Sequence, residues 1–245
     1  MVINVHGGHN RIVPGASGYL DEVTEDRAVT AQVIAKLQAL GHTVYDCTDD
    51  SGRTQGQNLA NIVHACNAHA ADLDVSIHLN SGGGTGTEVL VYSDTGEAAG
   101  YAVKICAAIS ELGYRNRGVK ERKNLYVLRR TTAPALLVEC CFVDSAADAQ
   151  RFDADKMAAA IVRGITGQTA AQTGAAPAQQ TGYHVRITAS VLNVRRDHSA
   201  SSAIATQVRK GEVYTIVAEY NNGGTMWGKL KSGAGWIALN YTQSV

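Results

Sequence analysis

Along residues 73–80, LDVSIHLN, apolar Leu73, Val75, Ile77 and Leu79 alternate with polar Asp74, Ser76, His78 and Asn80. A period of two predicts a β-strand with one apolar face. VINV (2–5), HTVYDC (42–47), TEVLVY (87–92) and PALLVECCFV (134–143) are further strand-like runs. Between them the period changes to that of a helix. Val29, Val33, Ile34, Leu37 and Leu40 form one stripe closed by Gly41, and Leu59, Ile62, Val63 and Cys66 form a second. Ile105, Ala108, Ile109 and Leu112 mark a third, and Met157, Ile161 and Ile165 a last one ending near Gly167. Strands alternating with helices predict an α/β fold, a twisted sheet with helices on both faces, and place functional residues at strand ends and in the adjoining loops.

The pattern stops at residues 167–182, GQTAAQTGAAPAQQTG, which hold no charge, no aromatic and no large aliphatic residue. Such a segment builds no core and reads as a flexible linker. Beyond it VLNVR, EVYTIVAEY and GWIAL are short strands separated by turn signals such as RKGE and NNGG, with no helical stripe. They predict a small all-β barrel. The expected division is therefore an α/β domain at 1–166, a linker at 167–182 and a small domain at 183–245.

Composition narrows the functions. The chain is 45% hydrophobic and 18% charged with zero formal net charge, so global charge gives no reason to expect nucleic acid. The neutral total conceals an asymmetry: residues 183–245 carry seven Lys/Arg against three Asp/Glu, net +4, which leaves −4 on the residues before them. No apolar run approaches the ~20 residues that span a bilayer, so membrane insertion is not expected. MVINVHGGHN lacks a basic flank and a long apolar core, and reads as a first strand rather than a signal peptide. The five cysteines are odd in number and scattered, with no C-x-x-C, which favours buried thiols made in a reducing compartment over disulfides or a thiolate zinc site.

One residue resists the packing pattern. Glu139 sits in the middle of PALLVECCFV, where an unpaired ionised carboxylate is costly. A strand edge, an arginine partner or a cleft would each explain it. Of the eight histidines, His42 follows a helix end, where a cation suits the dipole. His64 and His69 belong to a helix surface, and His184 and His198 lie in the small domain without an acidic cluster. His9 and His78 differ because both stand where a strand leaves the sheet, and Glu22 precedes the first long helix in GYLDEVTED. Two imidazoles and a carboxylate leave one zinc position open for water, the layout of hydrolytic zinc sites. On spacing alone His6 competes with His9. Cys140 and Cys141 carry no acid–base signature for a nucleophile, and SGGGTG lacks the residues of a phosphate loop and reads as a mobile rim.

Three motifs in order resemble the zinc-dependent N-acetylmuramoyl-L-alanine amidases. GGHNRIVPGASGYLDEVTEDRAV resembles the first, VSIHLNS the second, and PALLVECCFVDSAAD the third. The resemblance implies zinc on His9, Glu22 and His78, choosing His9 over His6 by the distance to Pro14. It makes Glu139 the catalytic carboxylate that takes a proton from water and delivers it to the departing alanine nitrogen. The chain departs from the family pattern with His6 for an aspartate, Asp26 for a common asparagine and Cys141 for a common glycine. The arginine often found before the position of Asn67 is missing.

The tail, through VLNVRR, VRKGEVYTIV, MWGKL and AGWIALNY, resembles a bacterial SH3-like (SH3b) domain, with Leu192, Val194 and Trp236 as core. That resemblance implies attachment to peptidoglycan, and the basic excess suits anionic wall polymers. Together they imply a peptidoglycan hydrolase of endolysin or autolysin type, made in the cytoplasm and acting on the wall after release. The alternatives are a zinc peptidase or deacetylase on another peptidoglycan amide, or a non-catalytic wall-binding protein.

Overall fold

The computed structural model describes residues 1–168, 183–196, 198–200, 202–222 and 225–245. They fall into two compact units, Met1–Gly174 and Ala175–Val245. The expected linker lies outside the described residues except for Gly167 and Gln168.

In the first unit the strands are β1 (Val2–Gly7), β2 (Thr43–Asp46), β3 (Leu73–Asn80), β4 (Thr87–Val91), β5 (Asn116–Glu121) and β6 (Ala135–Phe142). They form one mixed sheet in the order β2-β1-β3-β6-β4-β5. β2, β1, β3 and β6 run parallel, whereas β4 pairs antiparallel with β6 and parallel with β5. The helices are α1 (Glu22–Ala39), α2 (Gln55–Asn67), α3 (Glu97–Ser110), α4 (Tyr126–Arg130), α5 (Ala146–Arg151) and α6 (Ala154–Thr166).

Helices cover both faces of the sheet. α1, α3 and α6 pack over the face that carries Ile3, Val5, Val75, Ile77 and Val138. α2 and α4 cover Leu90 and Leu137 on the other. β3 is consequently buried on both sides, and its polar face is not solvated: Asp74 and Ser76 are each 2% exposed. Asp74 accepts from Asn4 Nδ2 at 2.7 Å, which partly offsets its burial, and its carboxyl is nevertheless raised to about 6 by desolvation.

Helix α1 starts earlier than its apolar stripe suggests. Asp21 caps it by accepting from Thr24 N at 2.9 Å, so Glu22 is the first helical residue rather than part of a loop. The difference matters, because a helical turn fixes the direction of the Glu22 side chain.

The second unit is an all-antiparallel sheet of β7 (Tyr183–Ile187), β8 (Val191–Arg195), β9 (Ile204–Arg209), β10 (Val213–Asn222), β11 (Thr225–Leu230), β12 (Trp236–Ala238) and β13 (Thr242–Ser244). Their order is β13-β7-β10-β11-β12-β8-β9. Val185, Ile187, Leu192, Val194, Val208, Ile216, Leu230 and Ile237 form its core. Of the two tryptophans the buried one is Trp227, at 4% exposure. Trp236, expected in the core, is only half-buried and takes Lys229 Nζ 5.8 Å from its ring centroid. Among the described residues no helix is long and apolar enough to cross a membrane.

Candidate metal centre

The parallel strands β1, β3 and β6 end together, and the polar residues at their ends converge. His9 follows the Gly7–Gly8 turn out of β1, His78 is the third residue from the end of β3, and Glu139 stands opposite His78 in the β3–β6 register. The first turn of α1 brings Glu22 over the same edge. His9, Glu22 and His78 each offer a donor atom, and the three atoms lie within 4.8 Å of one another. Glu22 Oε1 stands 3.1 Å from His78 Nδ1 and 3.7 Å from His9 Nε2, and the two imidazoles meet edge to face.

The carboxylate of Glu22 is held from behind. Ala16 N donates to Oε2 at 2.7 Å and Leu79 N to Oε1 at 3.2 Å. Burial works against its ionisation, but the hydrogen bond and charge of His78 outweigh it, and its pKa stays below the usual carboxylate value. For His78 burial likewise opposes the charged form. The hydrogen bond to Glu22 and the charges of Glu139, Glu22 and Asp26 overcome it and raise its pKa. His9 is lowered by burial and by the neighbouring His78. Two imidazoles and an ionised carboxylate crowded at this range suit a borderline cation such as zinc, and a cation would relieve their mutual electrostatic dependence.

Glu139 is in the opposite condition. Burial, then the charges of Glu22 and Glu88, push its carboxyl up to about 7 despite the opposing effect of His78. Among the described residues its Oε2 is buried and has no hydrogen-bond partner. A carboxyl left unpaired beside three metal-type donors is a group prepared for something absent from the chain itself.

His6, the competing imidazole, is kept out of this cluster. It is 1% exposed, its Nδ1 lies 3.2 Å from Gly7 O, and burial lowers its pKa to about 3.

Several residues that shape the centre escape a reading by motif chemistry. Asp26 and Arg27 clamp the Gly8–His9 turn. Gly8 N donates to Asp26 Oδ2 at 3.2 Å, Arg27 donates to Asp26 Oδ1 at 2.8 Å, and the Arg27 guanidinium also donates to the His9 carbonyl and to Asp50. The signals available for Asp26 are its place where the family commonly has an asparagine and its spacing of four from Glu22, which puts both on one face of α1. The rim SGGGTG is also tied down rather than loose: Gly82 and Gly83 donate to Asp144, and Gly86 donates to the fully buried Asp148.

Gly8 and Gly15 are required for room. A Cβ on Gly8 would stand 1.8 Å from His78 Cε1, and one on Gly15 2.2 Å from Glu22 Oε2. Gly8→Ala must therefore displace His78. We expect its zinc affinity, measured by competition with a chromogenic chelator, to fall roughly 10–100-fold, as when a ligand loses its support.

The family of this chain follows from comparison with known proteins. Residues 1–167 match the model of the N-acetylmuramoyl-L-alanine amidase family, and the chain belongs to that family. It is 31% identical over 209 residues to the sporulation-specific N-acetylmuramoyl-L-alanine amidase of Bacillus subtilis, covering 83% of this chain and 80% of that protein. An uncharacterised protein of Clostridium perfringens is 38% identical over 154 residues, covering 60% of this chain; the chain spans 45% of that relative's length. Among solved structures, the catalytic domain of the CD27L endolysin targeting Clostridia difficile superposes with a TM-score of 0.64 at 26% identity, covering 69% of this chain and 98% of that domain.

Proposed function

We propose that this protein is a zinc-dependent peptidoglycan hydrolase that cleaves the amide between N-acetylmuramic acid and L-alanine. The observation that carries the reading is the convergence of His9, Glu22 and His78 within 4.8 Å beside the unpartnered carboxyl of Glu139. Zinc held by the three would supply Lewis acidity, polarising the amide carbonyl and making a water easier to deprotonate.

The chain's own residues do the rest. Ala16 N and Leu79 N fix Glu22, and Glu22 in turn orients His78. The turn carrying His9 is anchored by Asp26 and Arg27. Glu139, whose carboxyl burial holds above the usual carboxylate range in the metal-free protein, accepts the proton of the attacking water and returns it to the leaving alanine nitrogen. Burial in an otherwise apolar strand keeps bulk water from stabilising the ionised form of Glu139.

The test is metal removal. Dialysis against a chelator should abolish release of alanine-terminated peptide from a soluble muramoyl peptide, and about one equivalent of zinc per chain should restore it. Full activity after proven loss of all metal would remove zinc from the mechanism.

For the second unit we propose an SH3-like wall-binding role. Its net charge of +4 suits an anionic polymer, and a cleft lined by Asn193, Arg195, Trp227, Asn240 and Tyr241 offers polar and aromatic contacts. Tethering would raise the enzyme's concentration at the wall, where the negative first unit would otherwise be repelled. A fragment ending at Gln168 keeps the α6 terminus, where Gly167 N donates to Arg163 O at 2.8 Å. That fragment should cleave soluble muramoyl peptides as the full chain does but lyse intact walls more slowly. Residues 183–245 should sediment with walls at low salt and less at high salt; no sedimentation at low salt would remove the binding role. Release from the cytoplasm by lysis belongs to the same proposal.

A further inference from the structure

The row of charged residues does not stop at Glu139. In register, His78 on β3 faces Glu139 on β6, and Glu139 faces Glu88 on β4. The β4–β5 ladder shifts between Thr87 and Val89, whose partners are Asn116 and Val119, so the extra residue of this bulge puts Arg117 beside Glu88. Bulges next to sites commonly re-aim one side chain in this way. Arg117 Nε donates to Glu88 Oε2 at 2.8 Å, and its guanidinium carbon lies 5.0 Å from the Phe142 ring centroid. Asn80 Nδ2 donates to the other oxygen of Glu88 at 3.0 Å. The Arg117 side chain is thus held at one nitrogen and across one face, yet remains 31% exposed. Among the described residues its two terminal nitrogens have no protein partner.

A fixed guanidinium with its planar outer edge open is built to receive a carboxylate through two parallel hydrogen bonds. Neighbouring strands are about 4.8 Å apart, so the guanidinium, leaning from β5 onto Glu88, lies roughly 5–10 Å along the row from Glu139. An extended peptide advances about 3.3–3.6 Å per residue, which puts a carboxylate on the second stem residue roughly 7 Å from the scissile carbonyl.

We infer that Arg117 recognises the free α-carboxylate of the acidic residue that follows alanine in the stem peptide. It is a specificity-determining residue that favours stems with that carboxylate free over stems in which it is amidated. The inference rests on the amidase reading and extends it along the sheet.

The experiment compares two soluble probes, muramoyl-L-Ala-D-Glu and its amide muramoyl-L-Ala-D-isoglutamine, with the full-length zinc-loaded enzyme. The native enzyme should favour the acid in kcat/KM by about tenfold to a hundredfold, the range of a charge-assisted hydrogen-bond pair. Arg117→Gln should slow both probes, because Glu88 loses its counter-charge, but should cost the acid at least tenfold more and so erase the preference. Arg117→Lys, which keeps the charge without the fork, should restore most of the activity on the amide and only part of the preference. Native enzyme indifferent to amidation, or equal losses on both probes in Arg117→Gln, would overturn the inference while leaving the amidase reading intact. Failure of the native enzyme to release an alanine amine from either probe would overturn both. The native comparison needs no variant, so a misfolded Arg117→Gln does not remove the test.

Discussion

Replacing Glu139 with glutamine should lower turnover by about 10²–10⁴-fold, the usual contribution of a positioned general acid–base, with zinc still bound. Glutamine keeps the shape of the side chain, and none of the metal-type donors is Glu139 itself. What it loses is the ability to take and return a proton. The same change should not harm folding. The Glu139 carboxyl is raised from 4.5 to about 7 by burial and by Glu22 and Glu88. Between these values the native metal-free protein binds more protons than the unfolded chain. Its stability therefore falls as pH rises through this window. Metal-free Glu139→Gln lacks that loss and should be at least as stable as the parent at pH 8, the difference closing below about pH 4.5 as both forms become neutral. Denaturant melts at the two pH values check the sign. A folded, zinc-loaded Gln variant with parental turnover would exclude Glu139 from the proton transfers.

The second large effect separates two histidines that stand three residues apart. His9→Ala should leave well under one equivalent of zinc after gel filtration and reduce activity to background. His6→Ala should keep its zinc and most of its activity while losing about 0.5–3 kcal/mol of stability, as for other buried truncations. The reason is their opposite surroundings. His9 Nε2 stands 3.7 Å from Glu22 and beside His78, whereas His6 is buried in the sheet with its pKa lowered to about 3. Zinc content by atomic absorption decides between them: loss of metal in His6→Ala and retention in His9→Ala would reverse the assignment.

Much of this arrangement is legible in the chain because its central strands are extreme. Alternation in LDVSIHLN marks β3 without ambiguity, and a carboxylate within PALLVECCFV marks β6 as more than a core strand, with a strand edge, an arginine partner or a cleft each explaining it. Parallel strands of an α/β sheet deliver such residues to one edge, so strand-end position and residue type bring His9 and His78 forward, while the family motifs choose His9 over His6 and give Glu139 its catalytic role. The parts that are not legible are those held by backbone or by distant partners. β5, NRGVKE, has no apolar alternation because it lies at the sheet edge, with strand pairing on one side only. The clamp of Asp26 and Arg27 joins α1 to a turn eighteen residues earlier, a contact that no local period encodes. The start of α1 at Glu22 depends on the Asp21 cap, which an apolar stripe beginning at Val29 cannot report. In the second unit both tryptophans fit the strand pattern, and only packing distinguishes buried Trp227 from half-buried Trp236.

Mass spectrometry of purified peptidoglycan digested by the native protein tests the central claim most directly, because each candidate activity breaks a different bond. Cleavage between muramic acid and alanine should release stem peptides with free L-alanine amino termini and leave glycan strands intact, and the zinc-stripped protein should release none. Cuts within the stem, loss of acetyl groups, new reducing sugar ends, or binding without any product would each contradict it.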